Sequence, residues 1–193
     1  APAALAAPLV AIVGARAATP YGVGCAKALA RQLVGLGFGV VSGLARGIDA
    51  AAHRGALEAG GVTIGVIACG ADRVYPREHQ ALAEEMTAAG AVVSELPPGT
   101  PPLRHHFPLR NRLISGLADA LVVVEAKARS GSRISAEHAA EQGREVLAVP
   151  GPIDAPTSEG PNLLLRDGAP PALDASDVLR ALGRGAEAEA WLA

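Results

Sequence analysis

The sequence predicts an α/β fold: an extended, doubly wound, mostly parallel sheet with helices on both faces. Half of the 193 residues are hydrophobic but only 3% are aromatic. Val, Leu, Ile and Ala must therefore build the core, as in parallel strands that helices cover on both sides. Short apolar runs also alternate with segments of helical spacing. We expect one domain over residues 9–170, a lead-in at 1–8, and a C-terminal helix and tail at 171–193.

The apolar runs predict six strands, which cover residues 9–13, 39–42, 62–68, 91–94, 120–125 and 145–149. Helical spacing predicts helices at residues 21–36, 48–59, 78–89 and 134–142, shorter ones at 111–115 and 177–182, and a fraying tail at 186–190. Strands joined by such crossovers form a Rossmann-like sheet. Ligands of these sheets bind beyond the carboxyl ends of the strands, so the loops that follow the strands are the candidate sites.

Cysteine usage and hydropathy bound the environment of the protein. Cys25 and Cys69 lie far apart and form no CxxC motif, which argues against a zinc site and a disulfide framework. No apolar run reaches the length of about 18 residues that a membrane span needs, and the first residues lack the basic start of a signal peptide. We expect a cytoplasmic protein without a bound metal or membrane contact. The absence of an initial methionine leaves open whether flanking domains belong to it.

The charge of the chain is unevenly distributed. The net charge is −2, which by itself argues against a protein that binds nucleic acid over its whole surface. Residues 104–133, however, contain six basic and two acidic side chains. This asymmetry predicts a binding face for an anionic partner, and the alternative is a solvated arginine-rich surface.

The loop after the first strand is rich in glycine and opens a helix. It begins with Gly14 and contains Arg16, and the amides at the start of the helix could hold an anion. The loop lacks the GxGxxG spacing, and no acid follows the second strand, so a nicotinamide-dependent oxidoreductase is disfavoured. The alternative is that these glycines serve only tight turns and close helix packing.

The loop after the second strand combines small residues with one arginine. Ser42 and Gly43 end the strand, and Arg46 is followed by Gly47, whose missing side chain permits close approach of a ligand. We expect the guanidinium to bind a phosphate through two hydrogen bonds. Asp49 would cap the next helix or orient Arg46.

A longer irregular stretch places one of the two phenylalanines among arginines. Phe107 lies between Arg104 and the triplet Arg110, Asn111 and Arg112. An aromatic side chain beside cations is the usual arrangement for binding single strands, and the alternative is that Phe107 packs the loop onto the core. The triplet falls at a predicted helix start, where positive charge is unfavourable unless an anion neutralises it.

The loop after the fifth strand is a candidate phosphate site. Lys127 precedes Ser130, Gly131 and Ser132, which open the next predicted helix. Hydroxyl groups and backbone amides at a helix start, with cations nearby, suit a phosphate. The alternative is that the serines only cap the helix.

The order of these motifs resembles that of the DNA-processing protein A (DprA/Smf) family. The motifs are Val-Gly-Ala-Arg, Ser-Gly-Leu-Ala-Arg-Gly-Ile-Asp, Phe-Pro-Leu-Arg-Asn-Arg, Glu-Ala-Lys-Ala-Arg-Ser-Gly-Ser and Ala-Val-Pro-Gly, and the resemblance spans residues 10–169. It implies a homodimer without catalytic activity or cofactor. Such a protein binds single-stranded DNA that enters during natural transformation, shields it, and helps to load the RecA recombinase.

The resemblance also implies roles for individual side chains. Phe107 would stack on a base, and the phosphate contacts would come from Arg46, Arg104, Arg110, Arg112 and Lys127. The chain departs from the family pattern in four places, which are Ala15 for serine, Leu109 for arginine, Arg133 and Ser135. Helical and winged-helix domains that often flank this core are not evident, which leaves partner binding more open than DNA binding.

Two other classes of function remain open. Phosphoribohydrolases of nucleoside monophosphates share a similar sheet, but their Pro-Gly-Gly-x-Gly-Thr motif is missing here, and Glu137 lies deep in a predicted helix. A protein-interaction module with a decayed site would have lost its loop cations, whereas this chain retains them.

Overall fold

The computed structural model describes residues 7–193 and contains one six-stranded sheet. Its strands are β1 (Leu9–Val13), β2 (Gly39–Ser42), β3 (Thr63–Val66), β4 (Ala91–Val93), β5 (Ala120–Val123) and β6 (Glu145–Ala148). All neighbours pair in parallel, in the order β4-β3-β2-β1-β5-β6. The predicted parallel, doubly wound sheet is confirmed. The third and fifth strands are shorter than predicted because their apolar runs continue as buried loop residues.

Eight α-helices accompany the sheet within residues 7–193. They are α1 (Pro20–Gly35), α2 (Ile48–Glu58), α3 (Gln80–Ala89), α4 (His106–Leu117), α5 (Gly131–Glu141), α6 (Glu159–Arg166), α7 (Ala175–Ala181) and α8 (Gly185–Leu192). The start of α1 follows from its sequence, because the Thr19 hydroxyl accepts a hydrogen bond from the Gly22 amide and Pro20 occupies the first turn.

Three helices differ most from the prediction. The helix α4 starts five residues before the predicted position, because Pro108 lies in its first turn, where proline is tolerated. Residues 186–190 are not a fraying tail but part of α8, whose Ala188 is buried. The helix α6 was not predicted, since Gly160 and Pro161 in its first turn mask its periodicity.

Helices cover the sheet on both faces. Alternate strand residues such as Val10 and Ile12 pack against α1, α2, α7 and α8. The residues between them, such as Ala11 and Val13, pack against α4 and α5. The segment 171–193 thus packs against the same core as the sheet. No helix within residues 7–193 is long and apolar enough to span a bilayer.

The strand order fixes where a ligand can enter. The chain moves outward from β1 through β2 to β4, and then returns to the other side of β1 as β5. The loops that follow β1 and β5 therefore leave the sheet in opposite directions and open a crevice, the usual ligand position in sheets of this kind.

Candidate nucleic-acid interface

A cavity of about 360 Å³ occupies this crevice. It brings together ten of the residues that the sequence singled out, namely Gly14, Arg16, Asp49, Phe107, Arg110, Asn111, Lys127, Ser130, Gly131 and Ser132. A smaller recess of about 30 Å³ lies beside it and is lined by Gly43 and Arg46, together with Arg16 and Phe107. The remaining site candidates, Ser42, Gly47, Arg104 and Arg112, line neither space.

A buried acid holds the first loop in place. Glu125 is 2% exposed, and its carboxylate accepts hydrogen bonds from the Thr19 amide at 2.9 Å and from the Thr19 hydroxyl at 2.5 Å. The Thr157 hydroxyl adds a longer hydrogen bond at 3.4 Å. Glu125 therefore joins the loop before α1 to the end of β5. This role was not predicted from the sequence. The feature that could have indicated it is an acidic residue directly after a uniformly apolar strand.

The first and second loops touch through a glycine. Gly47 adopts a φ of +72°, and a Cβ atom there would lie 2.2 Å from the Ala15 carbonyl oxygen. The neighbouring Ile48 amide donates a hydrogen bond of 3.2 Å to the same oxygen. Both the backbone conformation and the close contact thus require glycine at this position. Gly47 thereby holds the two loops together beside the cavity.

Arg110 is a buried side chain that connects backbone groups of two strand ends. It is 7% exposed, its Nη1 donates hydrogen bonds to the carbonyl oxygens of Gly43, at 2.8 Å, and of Val66, and its Nε donates to Asn111 Oδ1 at 3.2 Å. Burial lowers its pKa to about 10, although the Asp49 carboxylate acts in the opposite direction.

One expectation about Arg110 is therefore corrected. Because it lies in the second turn of α4, the argument that a helix start needs an anion beside Arg110, Asn111 and Arg112 fails. The hydrogen bonds of Nη1 and Nε give Arg110 a positioning part, and because Arg110 also lines the cavity, its phosphate contact stays a prediction.

Ser42 and Asp49 support the second loop from inside. The Ser42 hydroxyl donates a hydrogen bond of 2.6 Å to the Ile12 carbonyl oxygen. Asp49 Oδ2 accepts from the amides of Gly43 at 3.2 Å and Ala45 at 3.3 Å, and burial raises the pKa of this carboxyl. The expectation that Asp49 caps α2 or orients Arg46 is wrong, because Gly47 occupies the cap position and Arg46 pairs with Glu78.

Phe107 forms the wall between the two spaces. It lies in the first turn of α4, is half-buried, and belongs to none of the hydrophobic core clusters of residues 7–193. The Arg16 guanidinium carbon lies 4.9 Å from its ring centroid. The ring of Tyr75, which is 42% exposed, lies 5.7 Å away at an angle of 59°. The alternative of a core plug is thus not supported, and Tyr75 is an aromatic neighbour that the sequence pattern did not reveal.

The cations around the site fall into two groups. Arg46 and Arg112 form exposed ion pairs with Glu78 and Glu95, respectively. Exposed ion pairs are weak because water and salt screen them, so an incoming phosphate can replace the carboxylate. The second group has no carboxylate partner within residues 7–193 and comprises Arg16, Arg104, Lys127 and Arg129.

The start of α5 carries a buried hydroxyl group without a partner. Ser130 stands at the N-cap position but makes no capping hydrogen bond, and its buried Oγ has no partner in the described chain. The first amides of a helix also lack partners within the helix. The alternative that these serines only cap the helix is therefore not what the structure shows.

Comparisons with known proteins point to one family. The family model of DNA recombination-mediator protein A matches residues 1–183. Protein Smf of Escherichia coli (strain K12) is 46% identical over 177 residues, which are 91% of this chain and 47% of that protein. DNA processing protein A of Streptococcus pneumoniae superposes with a TM-score of 0.86 at 43% identity, over 92% of this chain and 62% of that one.

A third similar protein has a solved structure that describes a unique mode of binding single-stranded DNA. This is DNA processing protein A of Helicobacter pylori, with a TM-score of 0.84 and 31% identity over 93% of this chain and 82% of that one. The chain spans about half the length of its curated relatives, 47% of the E. coli protein and 58% of DNA processing protein DprA of Bacillus subtilis (strain 168). The matches confirm the resemblance seen in the sequence, and the chain belongs to the DNA recombination-mediator protein A family.

Proposed function

We propose that this chain binds single-stranded DNA without sequence preference at the crevice between β1 and β5. The observation that carries the proposal is the position of Phe107, a half-buried aromatic side chain beside cations that no carboxylate within residues 7–193 neutralises. A relative from Helicobacter pylori, of similar fold, has a described single-stranded DNA binding mode, which supports the same class of ligand here.

The roles of the side chains follow from their surroundings. Arg16, Lys127 and the amides at the start of α5 would bind phosphates, and Phe107 would stack on a base. Arg46 and Arg112 would exchange their carboxylate partners for phosphates, and Arg104 would extend the cationic track beyond the cavity. Stacking accepts every base and phosphate contacts carry no sequence information, so the binding would be sequence-independent.

The cellular role that we propose is protection of DNA taken up in natural transformation and assistance in loading RecA, by a cytoplasmic homodimer. This part rests on family membership, and the chain covers only 47% of the length of the E. coli relative. The positions of the acidic side chains favour binding without turnover over nucleotide hydrolysis. Asp49, the one acid among the described cavity residues, is hydrogen-bonded to backbone amides, and Glu137 pairs with Arg133 outside the cavity.

Alanine variants test the proposal. Arg16→Ala and Lys127→Ala should each weaken binding of every single-stranded sequence alike and reduce the slope of log affinity against log salt by about 0.7 for each lost contact. The matched control is Arg54→Ala, since Arg54 is an exposed arginine on α2 that lines neither the cavity nor the recess. Unchanged slopes in both cavity variants would contradict the proposal.

A further inference from the structure

Two serine hydroxyls at the start of α5 lack partners. Ser132 is only 8% exposed, lines the cavity, and makes no hydrogen bond through its Oγ within the described chain. Ser130 also lines the cavity, and its buried Oγ is unpartnered as well. A buried hydroxyl without a partner is unfavourable, so the Ser130 Oγ indicates a polar ligand that the cavity holds when occupied, and the Ser132 hydroxyl lies in the same cavity wall.

The charge around these hydroxyls exceeds what one phosphodiester would neutralise. Arg16, Lys127 and Arg129 all line the cavity, and none of them pairs with a carboxylate among residues 7–193. The positive end of the α5 dipole adds to this excess. An internal phosphodiester carries one negative charge, whereas a phosphomonoester carries nearly two at pH 7 because its second pKa is about 6.

The size of the cavity limits what can enter. Its volume of about 360 Å³ lies at the small end of the range of about 300–1,000 Å³ found for small-molecule sites. One nucleotide unit therefore fits better than several.

We propose that the cavity is a phosphomonoester site, which takes the terminal phosphate of a nucleotide at the start of α5 in preference to an internal phosphodiester. The terminal phosphate belongs either to a strand end or to a free mononucleotide. If the phosphate belongs to a strand end, the inference rests on the proposed binding of single-stranded DNA. If it belongs to a free mononucleotide, the inference does not depend on that function. Ser130 and Ser132 supply hydroxyl donors, and Lys127 and Arg16 supply the charge.

Two titrations of the protein test this site. The first compares oligothymidines of equal length and internal label that carry a 5′-phosphate, a 3′-phosphate or only hydroxyl ends. One phosphorylated end should bind at least about tenfold more tightly, since a charge-assisted hydrogen bond contributes about this much. The second measures thymidine monophosphate, thymidine and inorganic phosphate by calorimetry, and the monophosphate should bind whereas thymidine should not.

Serine variants locate the effect. Ser132→Ala and the double variant with Ser130→Ala should weaken binding of the phosphorylated strand more than binding of the hydroxyl-ended strand, so that the preference for the phosphorylated end is lost. Ser176→Ala is the matched control, because it removes another buried serine hydroxyl from the first turn of a helix, α7, away from the cavity. A preference that persists in the double variant would overturn the assignment to α5.

The outcomes separate this inference from the proposed function. If all strands bind equally and the monophosphate binds no better than thymidine, the inference is overturned while single-strand binding stands. If no strand binds but the monophosphate does, the proposed function fails and the site stands as one for free mononucleotides. A preference for one strand end without binding of the monophosphate assigns the site to strand ends.

Discussion

The guanidinium carbon of Arg16 lies 4.9 Å from the centroid of the Phe107 ring, although Arg16 belongs to the loop after β1 and Phe107 to the first turn of α4. This contact places a cation and an aromatic face on one wall, shared by the large cavity and the smaller recess. A cation beside an aromatic face suits the proposed binding of a single strand, because a base and its phosphate can then find neighbouring partners.

Removal of the Phe107 ring should weaken binding without loss of the fold. We expect Phe107→Ala to reduce affinity for oligothymidine by about 1–3 kcal/mol, the contribution of one stacked base. Because Phe107 lies outside the core clusters, the free energy of unfolding should change little. Anisotropy titrations and urea unfolding give the two quantities, and equal affinity before and after the change would remove Phe107 from the site.

Tyr75 should contribute through its ring and not through its hydroxyl. Its ring packs at 5.7 Å from Phe107 and is partly exposed, which suits a second stacking contact. We expect Tyr75→Ala to weaken binding and Tyr75→Phe to leave it unchanged. Trp191→Ala is the control, as Trp191 is a partly exposed aromatic side chain on α8. A loss of affinity in Tyr75→Phe would show that the hydroxyl acts instead.

Two acids should oppose DNA binding. Glu95 and Glu78 pair with Arg112 and Arg46, so each phosphate contact there must first displace a carboxylate. We expect Glu95→Gln and Glu78→Gln to raise affinity for single strands, most clearly at low salt, where exposed charges are least screened. Glu58→Gln, which disturbs a pair with Lys27 and Arg31 outside the cavity, should have no effect. Lower affinity in the first two variants would contradict this view.

Arg110 should matter for stability more than for direct contact with DNA. Its replacement by alanine leaves the carbonyl groups of Gly43 and Val66 without their donor. Each buried group left unsatisfied costs about 1–3 kcal/mol, so the midpoint of urea unfolding should fall clearly. Arg112→Ala should show the reverse pattern, with little change in stability and weaker binding, since Arg112 is exposed. An unchanged midpoint of urea unfolding in Arg110→Ala would contradict the positioning part of Arg110.

His53 predicts a loss of stability in mild acid. It is fully buried beside Thr63, and burial lowers its pKa to about 3 from an ordinary value of 6.5. Between these values the unfolded chain binds the proton and the folded chain does not, so stability is full above about pH 6.5 and falls as the pH drops towards 3. The raised pKa of Asp49 acts with the opposite sign.

The comparison that isolates the histidine is with His53→Gln. Unfolding free energies measured from pH 7 to pH 4 should fall less in the variant than in the wild type, because the variant has no imidazole to protonate. Parallel curves for the two proteins would rule out this role of His53.

The sheet could be predicted because its signals are local. The run from Leu9 to Val13 is bounded by Pro8 and Gly14 and forms a strand with the predicted ends. The start of α4 was missed because Pro108 suggests a loop, whereas its place in the first turn is compatible with a helix.

The site could be predicted in part. The loops that follow the strands meet as expected, since topology brings the carboxyl ends of parallel strands together. The burial of Arg110 depends on the loop after β2 and the end of β3, which lie far away in sequence, so it could not be inferred from neighbouring residues. The same holds for Tyr75, whose position beside Phe107 is set by a distant loop.

The most direct measurement is an anisotropy titration of fluorescent single strands of several sequences, with unlabelled duplex as competitor and at several salt concentrations. We expect salt-sensitive binding of similar affinity for all sequences, which excess duplex does not displace. Displacement by duplex at equal concentration, or the absence of binding at low salt, would contradict the assignment of the crevice between β1 and β5 to single-stranded DNA.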